Sequence, residues 1–182
     1  MPRLSKQFKD AIRQIPSDDL QKLVIELAGK HKDIHDIINV RFVEKEGAED
    51  ELFEDTKVAI EDEMSWLSNR GPLEKNIARA MANCVKLINH YAKVTKNKQR
   101  EADLLKYLIG VTFRKYEGDL GTCWTVFDSK LAATTKRFHT LVTKNLHEDL
   151  LMDYREDLNR YLRLLHKNCN HLDMVFGMPE EV

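Results

Sequence analysis

Apolar side chains recur three and four residues apart along nearly the whole chain, from Phe8, Ala11, Ile12 and Ile15 to Leu158, Tyr161, Leu162 and Leu165. That period puts them on one face of an α-helix, and no stretch alternates with period two for long enough to make a strand. Backbone breakers are scarce, with 7 Gly and 4 Pro in 182 residues. The chain therefore reads as a succession of helices, each with one buried stripe. The charged share of 32% supplies their solvated outer faces.

The punctuation divides these stripes into about eight helices. Ser5 is a candidate N-cap for the first. Pro16-Ser17 breaks it, and the Ser17 hydroxyl is expected to cap the second, where Leu20, Leu23, Val24 and Leu27 face inward and Gly29 ends the helix. A third runs from about Asp33 through Ile34, Ile37, Ile38 and Phe42 to Gly47. A fourth starts near Glu49 with Leu52, Phe53, Ala59, Ile60, Met64 and Leu67 inward. Its acidic first turn suits the positive end of the helix dipole.

Asn69-Arg70-Gly71-Pro72 is the clearest interruption, with Gly71 suited to a left-handed C-cap and Pro72 to a first helical position. It marks the expected boundary between an N-terminal helical subdomain, 1–70, and a C-terminal one, 71–182, over one continuous core. The second part predicts helices near 72–95, 99–117, 122–143 and from Asn145 onward, with a frayed tail after Gly177. Short polar turns imply antiparallel hairpins. Val-Thr-Lys-Asn occurs at both hairpin turns, Val94–Asn97 and Val142–Asn145, which suits a two-helix repeat. The fold class is all-α, either a helical bundle or a short HEAT-like α-solenoid.

Cys84, Cys123 and Cys169 are odd in number and far apart, unlike a disulfide scaffold. The opening Met-Pro-Arg-Leu-Ser-Lys has no apolar run resembling a signal peptide. No window approaches the roughly 18 apolar residues of a membrane span. These features predict a soluble cytoplasmic chain with no membrane contact.

Reactive residues are present without an evident constellation. His31 and His35 have the i, i+4 spacing of a metal pair, with Asp36 beside them, but no third ligand is nominated. His166, Cys169 and His171 cluster near the end of the last helix. Histidines there also suit the negative end of the helix dipole. Cys123 is expected in the first turn of a helix, where a thiol pKa falls, although Thr122, Trp124, Val126 and Phe127 read as a lead into the core. No Gly-rich phosphate loop, nucleophile elbow or calcium loop occurs. No catalytic residue, metal ligand or cofactor is assigned.

The net charge is −1, so the whole molecule has no general attraction to polyanions. Its charges are nevertheless segregated. Residues 44–63 carry ten acids against Lys45 and Lys57, and residues 86–144 carry twelve Lys and Arg against five acids. This contrast nominates Glu61, Asp62 and Glu63 on one side, and Lys96, Lys98 and Arg100 on the other, as partner-binding residues. The acidic and basic faces would dock a protein partner, or each other within a homodimer. Trp66, if exposed, would be an interface anchor. The alternative is a nucleic-acid-associated regulator using the basic 93–100 turn, for which exposed aromatics are lacking. A metal-dependent enzyme is the third reading.

Two stretches carry a family resemblance. Leu4-Ser-Lys, Ile15-Pro-Ser-Asp-Asp-Leu20 through Leu27 and the His-Lys-Asp-Ile-His-Asp-Ile-Ile helix make one. Ala102-Asp-Leu-Leu-Lys-Tyr-Leu, Phe113 and Gly118-Asp make the other. In these the chain resembles a family of small, all-helical bacterial proteins of unknown function. The resemblance implies a helical fold and brings no activity, cofactor or site residue. The resulting expectation is a non-catalytic helical interaction or adaptor module.

Overall fold

The computed structural model describes residues 4–44 and 47–182 and contains no strand among them. Met1–Arg3, Lys45 and Glu46, which entered the leader and charge readings, lie outside the described residues. The fold is all-α. Its helices fall into two compact units divided between Ala48 and Glu49. The Gly71-Pro72 break lies inside the second unit.

The first unit holds α1 (Lys6–Arg13), α2 (Ser17–Lys30) and α3 (Lys32–Ile38), which continues into a π-helical turn, Asn39–Val43. Ser5 caps α1 as expected, its hydroxyl accepting from the Phe8 N–H at 3.1 Å. Ser17 does not cap α2. Pro16 occupies that place and Ser17 is the first helical residue. Gly29 lies inside α2, which ends one residue later at Lys30. None of these elements contains a buried residue. Phe8, Leu20, Leu23, Val24 and Phe42 are all exposed.

The second unit is built from α4 (Ala48–Ser65), α5 (Leu73–Thr95), α6 (Lys98–Tyr116), α7 (Thr125–Lys144), α8 (Glu148–Asn168) and the short α9 (Asp173–Phe176). The expected stripes form its core: Ile77, Met81, Cys84, Ile88 and Tyr91 of α5, Leu104, Leu105, Leu108 and Ile109 of α6, Phe127, Leu131 and Phe138 of α7, and Leu158, Leu162 and Leu165 of α8. α7 packs on both α5 and α6, so the hairpins are interleaved in a bundle.

Local chemistry explains the turns. Gly71 takes φ 84°, the left-handed region a Cβ disfavours. Pro72 then holds the N-cap place, one residue earlier than expected. Buried Asn76 staples this turn, its amide donating to the Ser68 and Arg70 carbonyls at 2.7 and 3.0 Å. Between α5 and α6, Lys96 is left-handed and Asn97 caps α6 by accepting from the Arg100 N–H at 3.1 Å. The second Val-Thr-Lys-Asn turn differs. Asn145 closes α7 rather than opening α8, and His147 takes the N-cap place of α8.

Two further expectations are corrected. Of residues 122–127, expected to lead into the core, only Phe127 is buried: α7 begins at Thr125, and Cys123, Trp124 and Val126 are exposed. Nor is the tail frayed. The Val182 N–H donates to the Asn159 side chain at 2.8 Å, the Val182 backbone oxygen accepts from Arg155 at 2.7 Å, and Met178 is buried.

Glu101 is a buried carboxylate held by two cations, its side chain 6% exposed between Lys98 at 2.7 Å and Arg137 at 2.8 Å. Burial alone would raise its pKa. The two cations outweigh burial and bring it below the ordinary 4.5. The native state therefore gives up this proton more readily than the unfolded chain. Its stabilisation is present above the unfolded value and is lost as pH falls through the native one. Glu101→Gln should cost about 2 kcal/mol in urea unfolding at neutral pH, and the gap to wild type should shrink once the pH drops below 4.5.

Candidate functional site

The acidic helix and the basic helices meet within the second unit. Glu61 of α4 accepts from Lys115 at 2.6 Å and from the Tyr107 hydroxyl at 3.1 Å, with Arg114 at 3.6 Å. The Lys115 hydrogen bond is the largest of the effects that hold the Glu61 carboxyl below its usual range. Glu49 accepts from Tyr91 at 3.1 Å and from Asn97 at 2.7 Å. Arg100 pairs with Asp50. α4 is thereby fixed along one flank of α6.

α8 lies on the other flank. Lys106 of α6 pairs with Asp157 of α8 at 3.5 Å, and the Tyr161 hydroxyl donates to the Lys106 carbonyl at 3.3 Å. The Phe113 and Tyr161 rings stack with centroids 5.6 Å apart. Between the two flanks, within the described residues of the second unit, one face of α6 lines an open groove. It holds about 810 Å³ and runs along α6 from Asp103 to Glu117, just past its end. That size lies in the range of pockets that hold ligands or anchor side chains.

The groove floor is Tyr107, Gly110, Val111 and Phe113, with Phe53 of α4 and Tyr161 and Leu164 of α8 as walls. Gly110 leaves room for the Tyr161 side chain there. A Cβ on it would stand 2.9 Å from the Tyr161 hydroxyl. Four cations, Lys57, Lys106, Arg114 and Arg160, face three acids, Asp103, Glu117 and Asp157, for a net +1. Asp157 is held between Lys106 and Arg160, and Asp103 accepts from the Tyr154 hydroxyl at 2.9 Å. Arg114 and Arg160 stand at the rim with side chains 64% and 60% exposed. Lys57 lies 5.5 Å from the Phe53 ring centre and 5.7 Å from that of Tyr107, within cation–π range.

The residues nominated from sequence have separate fates. Glu61 and Arg100 hold α4 to the bundle. Lys98 pairs with Glu101, and Glu63 accepts from Asn83 at 2.8 Å. Lys96 and Asp62 are exposed. Trp66 is 85% exposed just past the end of α4. The groove residues Tyr107, Gly110, Arg114, Arg160 and Tyr161 were not singled out as a site. The available signal was Gly110, a glycine between Ile109 and Val111 inside a helical stripe, which often marks close packing.

The metal and nucleophile candidates do not assemble. Among the described residues, no three His, Cys, Asp or Glu side chains converge to hold an ion. His31 sits between α2 and α3, and His35 contacts Asp36 at 3.2 Å. His166 meets the Met178 carbonyl at 3.2 Å, while His171 meets Asp128 at 3.2 Å. Asp128 is fully buried and also accepts from the Gly121 N–H at 3.1 Å; burial pushes its pKa up. Cys84 and Cys169 are buried thiols, each pushed up to about 12, first by burial and then by a nearby carboxylate, Glu63 and Asp128 respectively. They are poor nucleophiles at neutral pH.

No protein-family model matches the chain, and searches of curated proteins and of solved structures match nothing either. No described helix is long and apolar enough to cross a membrane.

The close approach at Gly110 has a measurable consequence. Replacing an interior helical glycine by alanine ordinarily gains up to about 1 kcal/mol. Gly110→Ala should forfeit that gain because of the Tyr161 hydroxyl, and recover it in a Tyr161→Phe background. A double-mutant cycle of chemical unfolding reads the difference.

Proposed function

We propose that the chain is a non-catalytic helical interaction module whose binding surface is the groove between α4, α6 and α8. The observation that carries this reading is the uncovered face of α6, walled by aromatic rings and edged by Arg114 and Arg160. Buried aromatic and arginine anchors dominate binding energy at protein interfaces. Grooves between helices of this kind accept the apolar face of an added helix. The exposed Trp66 supports the same class of function as a second anchor outside the groove.

The paired thiol-free chemistry of the groove also fits binding rather than turnover. Two of its three carboxylates, Asp103 and Asp157, are engaged by Tyr154, Lys106 and Arg160 in structural contacts. The basic 93–100 turn is less suited to a phosphate backbone than its sequence implies, because Lys98 and Arg100 already hold carboxylates of their own chain.

A photo-crosslinking amino acid placed at Arg114, at the rim, and at Glu148, on exposed α8 away from it, separates the possibilities. Expression in the native host should give a discrete protein adduct from position 114 that Leu164→Glu abolishes, and none from position 148. Equal adducts from both positions, or none from either, would contradict the assignment.

A further inference from the structure

The groove extends over fourteen residue steps, from Asp103 of α6 to Glu117 just past its end, or about 21 Å at the helical rise. α2 has 14 residues, the same length. It also carries what the groove lacks. Leu20, Leu23 and Val24 form an exposed stripe at helical spacing, and nothing in α2 is buried. Its acids, Asp18, Asp19 and Glu26, outnumber Lys22 and Lys30, giving net −1 against the groove's net +1.

The other helices of the first unit fit less well. α1 carries Lys6, Lys9 and Arg13 against Asp10, net +2, and would be repelled by Arg114 and Arg160. α3 has 7 residues, half the length of the groove. We infer that the groove of one copy receives α2 of a second copy, so that the chain self-associates through its N-terminal unit. This rests on the docking reading above and names the occupant.

Exchange about a two-fold axis fills both grooves and leaves no open end. It also doubles the buried area, which matters because a stable interface needs about 1,200–2,000 Å² in total. The apolar residues supply affinity. Arg114 and Arg160 facing Asp19 and Glu26, which flank that stripe on α2, set which helix enters and in which register.

Sedimentation velocity on the full chain tests this, with circular dichroism confirming unchanged helix content. The wild type should show a concentration-dependent dimer. Leu23→Glu, on an exposed helix face, should weaken it at least about tenfold. So should Arg114→Glu with Arg160→Glu. Adding Asp19→Arg and Glu26→Arg to that groove variant should restore association. A monomer at every concentration would overturn the inference, as would a dimer indifferent to both Leu23→Glu and the groove reversal. If the chain is monomeric while the label at position 114 still captures another protein, self-association fails and the docking reading stands. If it captures nothing, both fail.

Discussion

The bundle's organisation depends on one electrostatic contact, the docking of acidic α4 onto the basic flank of α6. Glu61 is its centre, holding Lys115, Arg114 and the Tyr107 hydroxyl together. Glu49 and Asp50 do the same at the other end with Asn97 and Arg100. A helix as acidic as α4 repels itself in isolation, and these cations offset that repulsion. Exposed pairs contribute little individually. This set includes charge-assisted bonds at both ends of one helix, so it fixes position more than it adds stability.

That position creates the groove. With α4 tied to one side of α6 and α8 tied to the other through Lys106 and Asp157, the face between them stays open. The Tyr161 hydroxyl, seated against Gly110, brings the α8 wall close to the backbone of α6. The same cations therefore hold the fold and line the rim. A partner entering the groove would meet Arg114 already oriented by Glu61 and Arg160 already oriented by Asp157. Pre-positioned side chains lose less entropy on binding.

The buried stripes of α5 to α8 were legible from sequence because helical periodicity is local, and Ile77, Met81, Leu104, Leu108, Phe138 and Leu162 are buried where the spacing puts them. The groove was not legible, because it depends on how α4 and α8 flank α6 in space. The charge contrast between 44–63 and 86–144 was visible. Its internal resolution was not: Glu61 and Lys115 are distant in sequence, and only folding brings them together. Of residues 122–127, expected to enter the core, only Phe127 does so, for a related reason. Their apolar character suited burial, but α7 starts after Trp124, and Lys75 lies over that ring at 4.5 Å in its exposed loop. A terminal segment is expected to fray, and its sequence cannot reveal that Asn159 and Arg155 hold the Val182 backbone.

The face of α6 between α4 and α8 lines an open groove in the isolated chain. Hydroxyl-radical footprinting at dilutions where the chain is monomeric reads this directly. Tyr107 and Phe53, half-buried in the groove walls, should be oxidised far faster than Phe127 and Phe138, which are fully buried in the core. Protection of Tyr107 and Phe53 equal to that of Phe127 and Phe138 would mean that the groove is closed, and would contradict the account.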